Sequence, residues 1–218
     1  MKSVIVCSGG PVEEVVDFRQ LPFSKEETVF IGADRGALHL LTNGITPNEI
    51  IGDFDSLLEE EYQFLRKSVE KMTIMPPEKD ETDTHLAILR ALTYNPDSVI
   101  LTAVTGGRLD HYEAVLHDMV RFQREYPEIV FYIRNKQNII RFLLPGTHEI
   151  EQDNYFKYIS FFSFGETVKD ISLRGFLYEV TEENISIGNA KFTSNQVSGR
   201  NGTISITAGI CLMIRSSD

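Results

Sequence analysis

The chain has 218 residues, 42% of them hydrophobic, enough for one large or two small domains and too apolar for disorder. Its 21 basic and 32 acidic residues give a net charge of −11, a poor basis for binding nucleic acid, which rests on neutralising phosphates with Lys and Arg. No apolar run approaches the roughly 20 residues of a membrane span, so no membrane partner is expected.

A protein this acidic must recruit a cation before it can hold an anionic substrate. The opening residues Met1 to Cys7 are too short and too β-branched for a signal peptide and read as a first strand. Cys7 and Cys211 lie at opposite ends of the chain, each in an apolar run. Reduced core thiols of a cytoplasmic protein are the expectation.

In chain order, Val4-Ile5-Val6-Cys7 is the first strand, followed by Ser8-Gly9-Gly10-Pro11. The small residues there let backbone N–H groups approach an anion, and a plain turn explains them equally well. Neither the dinucleotide fingerprint nor the P-loop pattern occurs. Thr28 to Ala33 is the second strand. Asp34 then stands where a helix N-cap would, ahead of a helix over Gly36 to Leu41 that Gly44 closes.

Ile51-Gly52-Asp53-Phe54-Asp55-Ser56-Leu57 reads as a short strand ending in a turn, with two carboxylates at its C-terminal tip. Extended geometry puts residues i and i+2 on one side, so Asp53 and Asp55 face one point. Left alone they repel; a hard cation with substrate phosphates relieves that. Taken alone, an Asp-rich turn capping the next helix through Ser56 is the simpler account. A helix over about Leu58 to Val69 and a strand Met72 to Met75 follow.

The polar stretch Pro76 to Thr84 runs into a helix with apolar Leu86, Leu89 and Leu92, stopped by Asn95-Pro96. Asp80, Thr82 and Asp83 thus sit on a loop or in a helix's first turn, where the dipole suits a carboxylate or an incoming phosphate. Ser98 to Val104 is the clearest strand and opens onto Thr105-Gly106-Gly107-Arg108-Leu109-Asp110-His111. The helix behind it carries Val115, Leu116, Met119 and Phe122 and ends at Pro127. Arg108 can clamp a phosphate with its planar fork or pair with Asp110 on the surface. His111 and His117 are six residues apart, not the four of a helical metal pair, and His39, His85 and His148 show no ligand spacing.

Ile129 to Ile133 closes this series. Short β runs alternating with helices predict an α/β domain over residues 1–135, with a mostly parallel sheet flanked by helices. After about Asn135 the chain gives alternating runs only: Ile139–Leu144, Tyr155–Phe162, Ile171–Leu177, then Thr203–Thr207 and Ile210–Ile214, the last two read as a hairpin across Ala208-Gly209. This second domain, 136–218, reads as an antiparallel β sandwich or flattened barrel.

In a parallel sheet all strand tips lie along one edge, so Asp53/Asp55, Asp80/Asp83 and Arg108/Asp110 share it. Several carboxylates and an arginine there point to a metal–phosphate site and to phosphoryl transfer, which asks mainly for positioning and charge neutralisation. A D-x-D glycosyltransferase acting on a nucleotide sugar would explain Asp53/Asp55 alone. A catalytically inactive nucleotide-binding module is the other alternative.

Ala33-Asp34-Arg35-Gly36-Ala37, Gly52-Asp53-Phe54-Asp55-Ser56, Lys79-Asp80-Glu81-Thr82-Asp83, Gly106-Gly107-Arg108-Leu109-Asp110-His111 and Ser194-Asn195-Gln196 occur in that order. Together they resemble the thiamine pyrophosphokinase (thiamine diphosphokinase) family over nearly the whole chain. The resemblance implies an N-terminal domain that binds ATP and Mg²⁺, a C-terminal domain that contributes to the thiamine pocket, and a homodimer with active sites at the subunit interface. It implies transfer of a diphosphate from ATP to the thiamine hydroxyl, giving thiamine diphosphate and AMP. By motif, Asp53, Asp55 and Asp83 would bind Mg²⁺ and the triphosphate, one of them accepting the hydroxyl proton. Arg108 and Asp110, with Gly107 and Asp80 on the same loops, would complete the nucleotide site. Asp34 would line it, and Ser194 and Asn195 would face thiamine. Arg35 stands where the family often has glycine, and with no Trp in the chain any stacking on thiamine falls to Phe or Tyr.

Overall fold

The computed structural model describes residues 2–21, 27–76 and 80–218, so Lys79 of the third motif lies outside the described residues. The chain divides into two compact units, Met1–Lys136 and Gln137–Asp218.

In the first unit, β1 (Ser3–Cys7), β2 (Thr28–Ala33), β3 (Glu49–Gly52), β4 (Met72–Ile74), β5 (Ser98–Thr102) and β6 (Val130–Arg134) run in the order β4-β3-β2-β1-β5-β6. Every pairing in that series is parallel. β1 and β5 are buried along their whole length, which is why their runs of Val, Ile and Leu do not alternate. Among the described residues the α-helices that connect the strands are α1 (Gly36–Thr42), α2 (Glu59–Ser68), α3 (Asp83–Leu92) and α4 (Leu109–Glu125). α4 buries Val115, Leu116, Met119 and Phe122, the face expected from sequence. α3 does not bury the leucines expected of it. Its inner face is His85, Ala87, Ile88 and Ala91, while Leu86 and Leu92 are half-buried and Leu89 is exposed. Among the described residues no helix is long and apolar enough to cross a membrane.

Chain order reverses direction at β1: β2, β3 and β4 succeed it on one side and β5 lies on the other. Such a switch point opens a crevice at the C-terminal strand ends, where ligands of open α/β sheets bind. The opposite end of the sheet is a matter of stability. Glu49, nearly fully buried, accepts from Arg90 Nε at 2.7 Å, Lys71 Nζ at 2.9 Å and the Tyr94 hydroxyl at 3.1 Å. Burial alone would push its carboxyl up, but the bonds from Arg90, Lys71 and Tyr94 outweigh it and hold the carboxyl below its ordinary value of 4.5. A carboxyl depressed in the folded state adds stability above its unfolded value and loses it as pH falls through the folded one. Urea unfolding at stepped pH should therefore show stability falling below about pH 4.5, with a shallower fall in Glu49→Gln. Equal slopes in the two proteins would remove Glu49 from the acid response.

The second unit is a sandwich of antiparallel sheets. β7 (Asn138–Leu143), β13 (Cys211–Ser216) and β9 (Tyr158–Ser163) pair in that order; β11 (Val180–Ile185), β10 (Val168–Arg174), β12 (Asn201–Ile206) and β8 (Gly146–Glu151) form the other sheet. Phe161, Met213 and Leu143 from one sheet pack with Ile171, Leu173 and Ile204 from the other. The hairpin expected between the last two strands is not formed. β12 pairs with β10 and β8, whereas β13 pairs with β7 and β9. Gly209, at φ +88 with Thr167 O only 2.5 Å from where a Cβ would stand, lets the chain turn the corner between sheets instead.

Candidate functional site at the strand tips

The C-terminal strand ends of the first unit gather the loops after β1, β2, β3 and β5. β3 stops at Gly52, and Phe54 takes a left-handed conformation at φ +59. Asp53 and Asp55 are therefore not brought together by the pleat of a strand, as the sequence suggested. An Asx turn does it: Asp53 Oδ1 accepts the Asp55 N–H at 3.2 Å. Phe54 is driven inward among Ala37, Ile50, Leu65 and Val69, leaving the two carboxylates on the outside of the turn.

Asp34 is not the N-cap of α1 either. That position is Arg35, with no side-chain cap, and Asp34 itself is left-handed at φ +49. Its carboxylate turns to the neighbouring loop, where Oδ2 accepts the Ser56 hydroxyl at 2.6 Å. Arg35 completes the tie, donating Nη1 to Ser56 O at 3.0 Å and its fork to Glu61 at 2.8 and 3.1 Å. Gly52 has Asp34 backbone 3.2 Å from where its Cβ would stand, so the two loops lie against each other. Ser56 and Glu61 are thus structural parts of the site that sequence reading missed. Taken alone the motif offers Ser56 only a helix-capping role, and a contact 22 residues away leaves no local signal.

Electrostatics follow from that packing. A hydrogen bond shared with Asp53, then the Asp53 charge, burial and the Asp34 charge push the Asp55 carboxyl above its ordinary range. Asp34 Oδ1 is buried and, among the described residues, has no hydrogen-bond partner. Three hard oxygen ligands in mutual repulsion suit a divalent cation. Among the described residues no three acidic, His or Cys side chains close on a single metal position. The unpartnered Asp34 oxygen beside Asp53 and Asp55 fits, by the chemistry of its donors, an ion that takes the rest of its shell from water and substrate oxygens.

The remaining site residues of the first unit occupy the same edge. Asp83 lies in the first turn of α3, whose N-cap Thr82 accepts the His85 N–H at 3.1 Å. The next residue, Thr84, meets Ser8 hydroxyl to hydroxyl at 2.9 Å, tying α3 to the loop after β1. Asp80 is exposed on the preceding bend. Gly106 and Gly107 are both left-handed, at φ +76 and +62, which seats Arg108 at the start of α4. Arg108 and Asp110 form the surface pair, 2.5 Å between Nη2 and Oδ2. Both are largely exposed, so the pair is worth little and Arg108 is available to an incoming anion. Arg108 holds the Asp110 carboxyl below its usual range. His85 bonds Asp118 at 2.8 Å and packs on Phe122. Cys7 and Cys211 are free, buried thiols.

In the second unit Ser194 is exposed and left-handed at φ +56, its N–H on Ser160 Oγ at 3.0 Å. Asn195 is buried. Its amide grips Tyr178 at both main-chain groups, accepting the N–H at 3.0 Å and donating to the carbonyl at 2.8 Å. It also accepts the Gln196 N–H at 2.9 Å. Asn195 thus fixes the main chain beside exposed Leu177 and Tyr178.

Comparison with known proteins agrees over the whole length. Residues 22–131 match a family model described as thiamin pyrophosphokinase, catalytic domain. Residues 147–211 match one described as thiamin pyrophosphokinase, vitamin B1 binding domain. The chain is 35% identical to thiamine pyrophosphokinase of Bacillus subtilis over 218 residues, covering 100% of both. The crystal structure of a thiamine pyrophosphokinase from the same organism superposes with a TM-score of 0.92, again with full coverage of each chain. Thiamin pyrophosphokinase from Candida albicans, only 14% identical, shares the fold at a TM-score of 0.80 over 100% of this chain and 89% of that one.

Proposed function

We propose that this chain, which belongs to the thiamin pyrophosphokinase family, transfers the diphosphate of ATP to the hydroxyl of thiamine, giving thiamine diphosphate and AMP. The observation that supports the site most directly is the joining of the loops after β2 and β3, which sets Asp34 beside Asp53 and Asp55 at the sheet's C-terminal edge.

In this reading the thiamine hydroxyl oxygen bonds to the β-phosphorus of ATP while the bond from that phosphorus to the α,β-bridging oxygen breaks. AMP departs, and the hydroxyl proton passes to a carboxylate of the group. Asp53, Asp55 and Asp83 would hold Mg²⁺, which would neutralise the triphosphate charge when bound. Arg108 leaves Asp110 to take a phosphate oxygen in its fork. Gly106 and Gly107 let the backbone approach the nucleotide, with Asp34 and Asp80 lining the edge. Ser194 faces thiamine, and Tyr178, whose main chain Asn195 holds, offers an exposed ring for stacking. A homodimer is part of this reading, with Ser194 of one copy completing the site of another. Sedimentation as a monomer at working concentration would count against it. Two buried free thiols support a cytoplasmic protein. A nucleotide-sugar glycosyltransferase would account for Asp53 and Asp55 but not for the other matching loops.

The test is incubation with ATP, Mg²⁺ and thiamine, with nucleotides separated by chromatography. AMP is expected in step with thiamine diphosphate. ADP with thiamine monophosphate would make the transfer a one-phosphate reaction, and no turnover would overturn the reading.

A further inference from the structure

Glu14 closes a short 3-10 turn, Val12–Glu14, on the loop after β1, at the switch point of the sheet. On a chain with a net charge of −11, an acidic side chain at an edge meant for phosphate is out of place unless it is occupied. It is occupied, and not by a cation: among the described residues Glu14 makes no ion pair. Its Oε2 accepts the Thr105 hydroxyl and Asn135 Nδ2, the latter at 2.6 Å, and Asn135 Nδ2 also reaches Thr105 Oγ1 at 3.0 Å. Asn135 is 7% exposed, so the carboxylate points inward, and its ionised bonds are the strong kind. The main chain repeats the join. Glu14 O accepts the Ala103 N–H at 3.3 Å, and Gly10 N–H reaches Ala103 O at 2.9 Å.

The start of this segment is buried, at Ala103 and Val104, and the freedom lies beyond it. Ala103, Gly106 and Gly107 are all left-handed, and adjacent glycines carry the greatest backbone freedom of any pair. Thr105 stands between Ala103 and the glycines and is the point where the Glu14 carboxylate takes hold. The Glu14 stem also lies against Gly106, with Cγ 3.2 Å from the place of a Cβ. Beyond the glycines comes Arg108.

We infer that Glu14 is a positioning residue for the Thr105–Arg108 loop, acting through Thr105 and Asn135 to keep Arg108 where a nucleotide phosphate meets it. The inference rests on the assignment of Arg108 to the nucleotide side of the site.

Glu14→Ala should raise KM for ATP roughly tenfold, with a smaller change in kcat, as misplacement of a distant anchor does. Glu14→Gln, whose amide oxygen can accept both bonds, should recover most of that loss. Combined with Arg108→Ala, the Glu14→Ala change should add nothing, because its effect passes through Arg108. Should Glu14→Ala fold poorly, Thr105→Val removes only the hydroxyl and carries the same expectation. An unchanged KM, or losses that multiply in the double variant, would overturn the inference. Hydrogen exchange of the peptide spanning 103–109 separates this from the assigned reaction. Faster exchange in Glu14→Ala supports the anchor even if ATP and thiamine do not turn over, and unchanged exchange refutes it.

Discussion

Asp53→Asn and Asp55→Asn should each lower turnover by about 10²–10³-fold, since a bound cation's charge stabilisation is worth several kcal/mol and each 1.36 kcal/mol is tenfold in rate. Neither should unfold the protein. An asparagine at 53 keeps the carbonyl oxygen that accepts the Asp55 N–H, so the Asx turn survives, and Phe54 keeps its place in the core. Without the metal, removing one charge from a repelling group relieves strain, so unfolding temperature should hold or rise slightly while activity collapses. In Asp53→Asn the Asp55 carboxyl should also fall back toward its ordinary range, because Asp53 is the main cause of its elevation. An NMR titration of the metal-free variant would read that directly. Near-normal turnover in either variant would break the assignment of these carboxylates to the cation and the triphosphate.

The outline of the first unit was legible because its central strands are buried on both faces. β1, β2 and β5 show as unbroken β-branched runs, and α4 as a regular apolar stripe. In the second unit β8 and β11 went unread. They are the edge strands of their sheet, and Gly146–Glu151 and Val180–Ile185 are too polar and exposed to alternate clearly. The last two strands looked like a hairpin because adjacency in sequence says nothing about which sheet each joins.

At the site, residue types could be read but their geometry could not. Asp53 and Asp55 were legible as a pair, yet the turn that presents them depends on a left-handed Phe54 that no pattern announces. The bonds from Asp34 to Ser56 and from Glu14 to Thr105 and Asn135 span 22, 91 and 121 residues. Contacts of that range exist only once the sheet has set its strand order. Arg35 illustrates the difference: read as a departure from the family's glycine, it proves to be the tie between the β2 and β3 loops.

The glycine of the same motif should give the largest effect on stability. A Cβ on Gly36 would stand 1.8 Å from the Cys7 carbonyl oxygen and 2.4 Å from its carbon. Those atoms cannot retreat, because Cys7 is fully buried and paired on both sides, with Gly32 and with Thr102. α1 would have to lift off the end of β1, taking with it Asp34 and Arg35, the two residues that hold the β3 loop. Overpacking of this severity costs about 3 kcal/mol or more. At 2–4 °C per kcal/mol for a chain of this size, Gly36→Ala should melt roughly 6–12 °C below wild type. Gly199→Ala is the control: nothing lies within 4 Å of its Cβ position, so its melting should hold or rise slightly. Circular dichroism melts of the two decide the matter, and a Gly36→Ala protein melting with wild type would mean that α1 has room the structure does not give it. The two sets of variants then separate the motif's parts. Asp53 and Asp55 cost activity at no cost in stability, while Gly36 costs stability first and activity only through the loops that α1 carries.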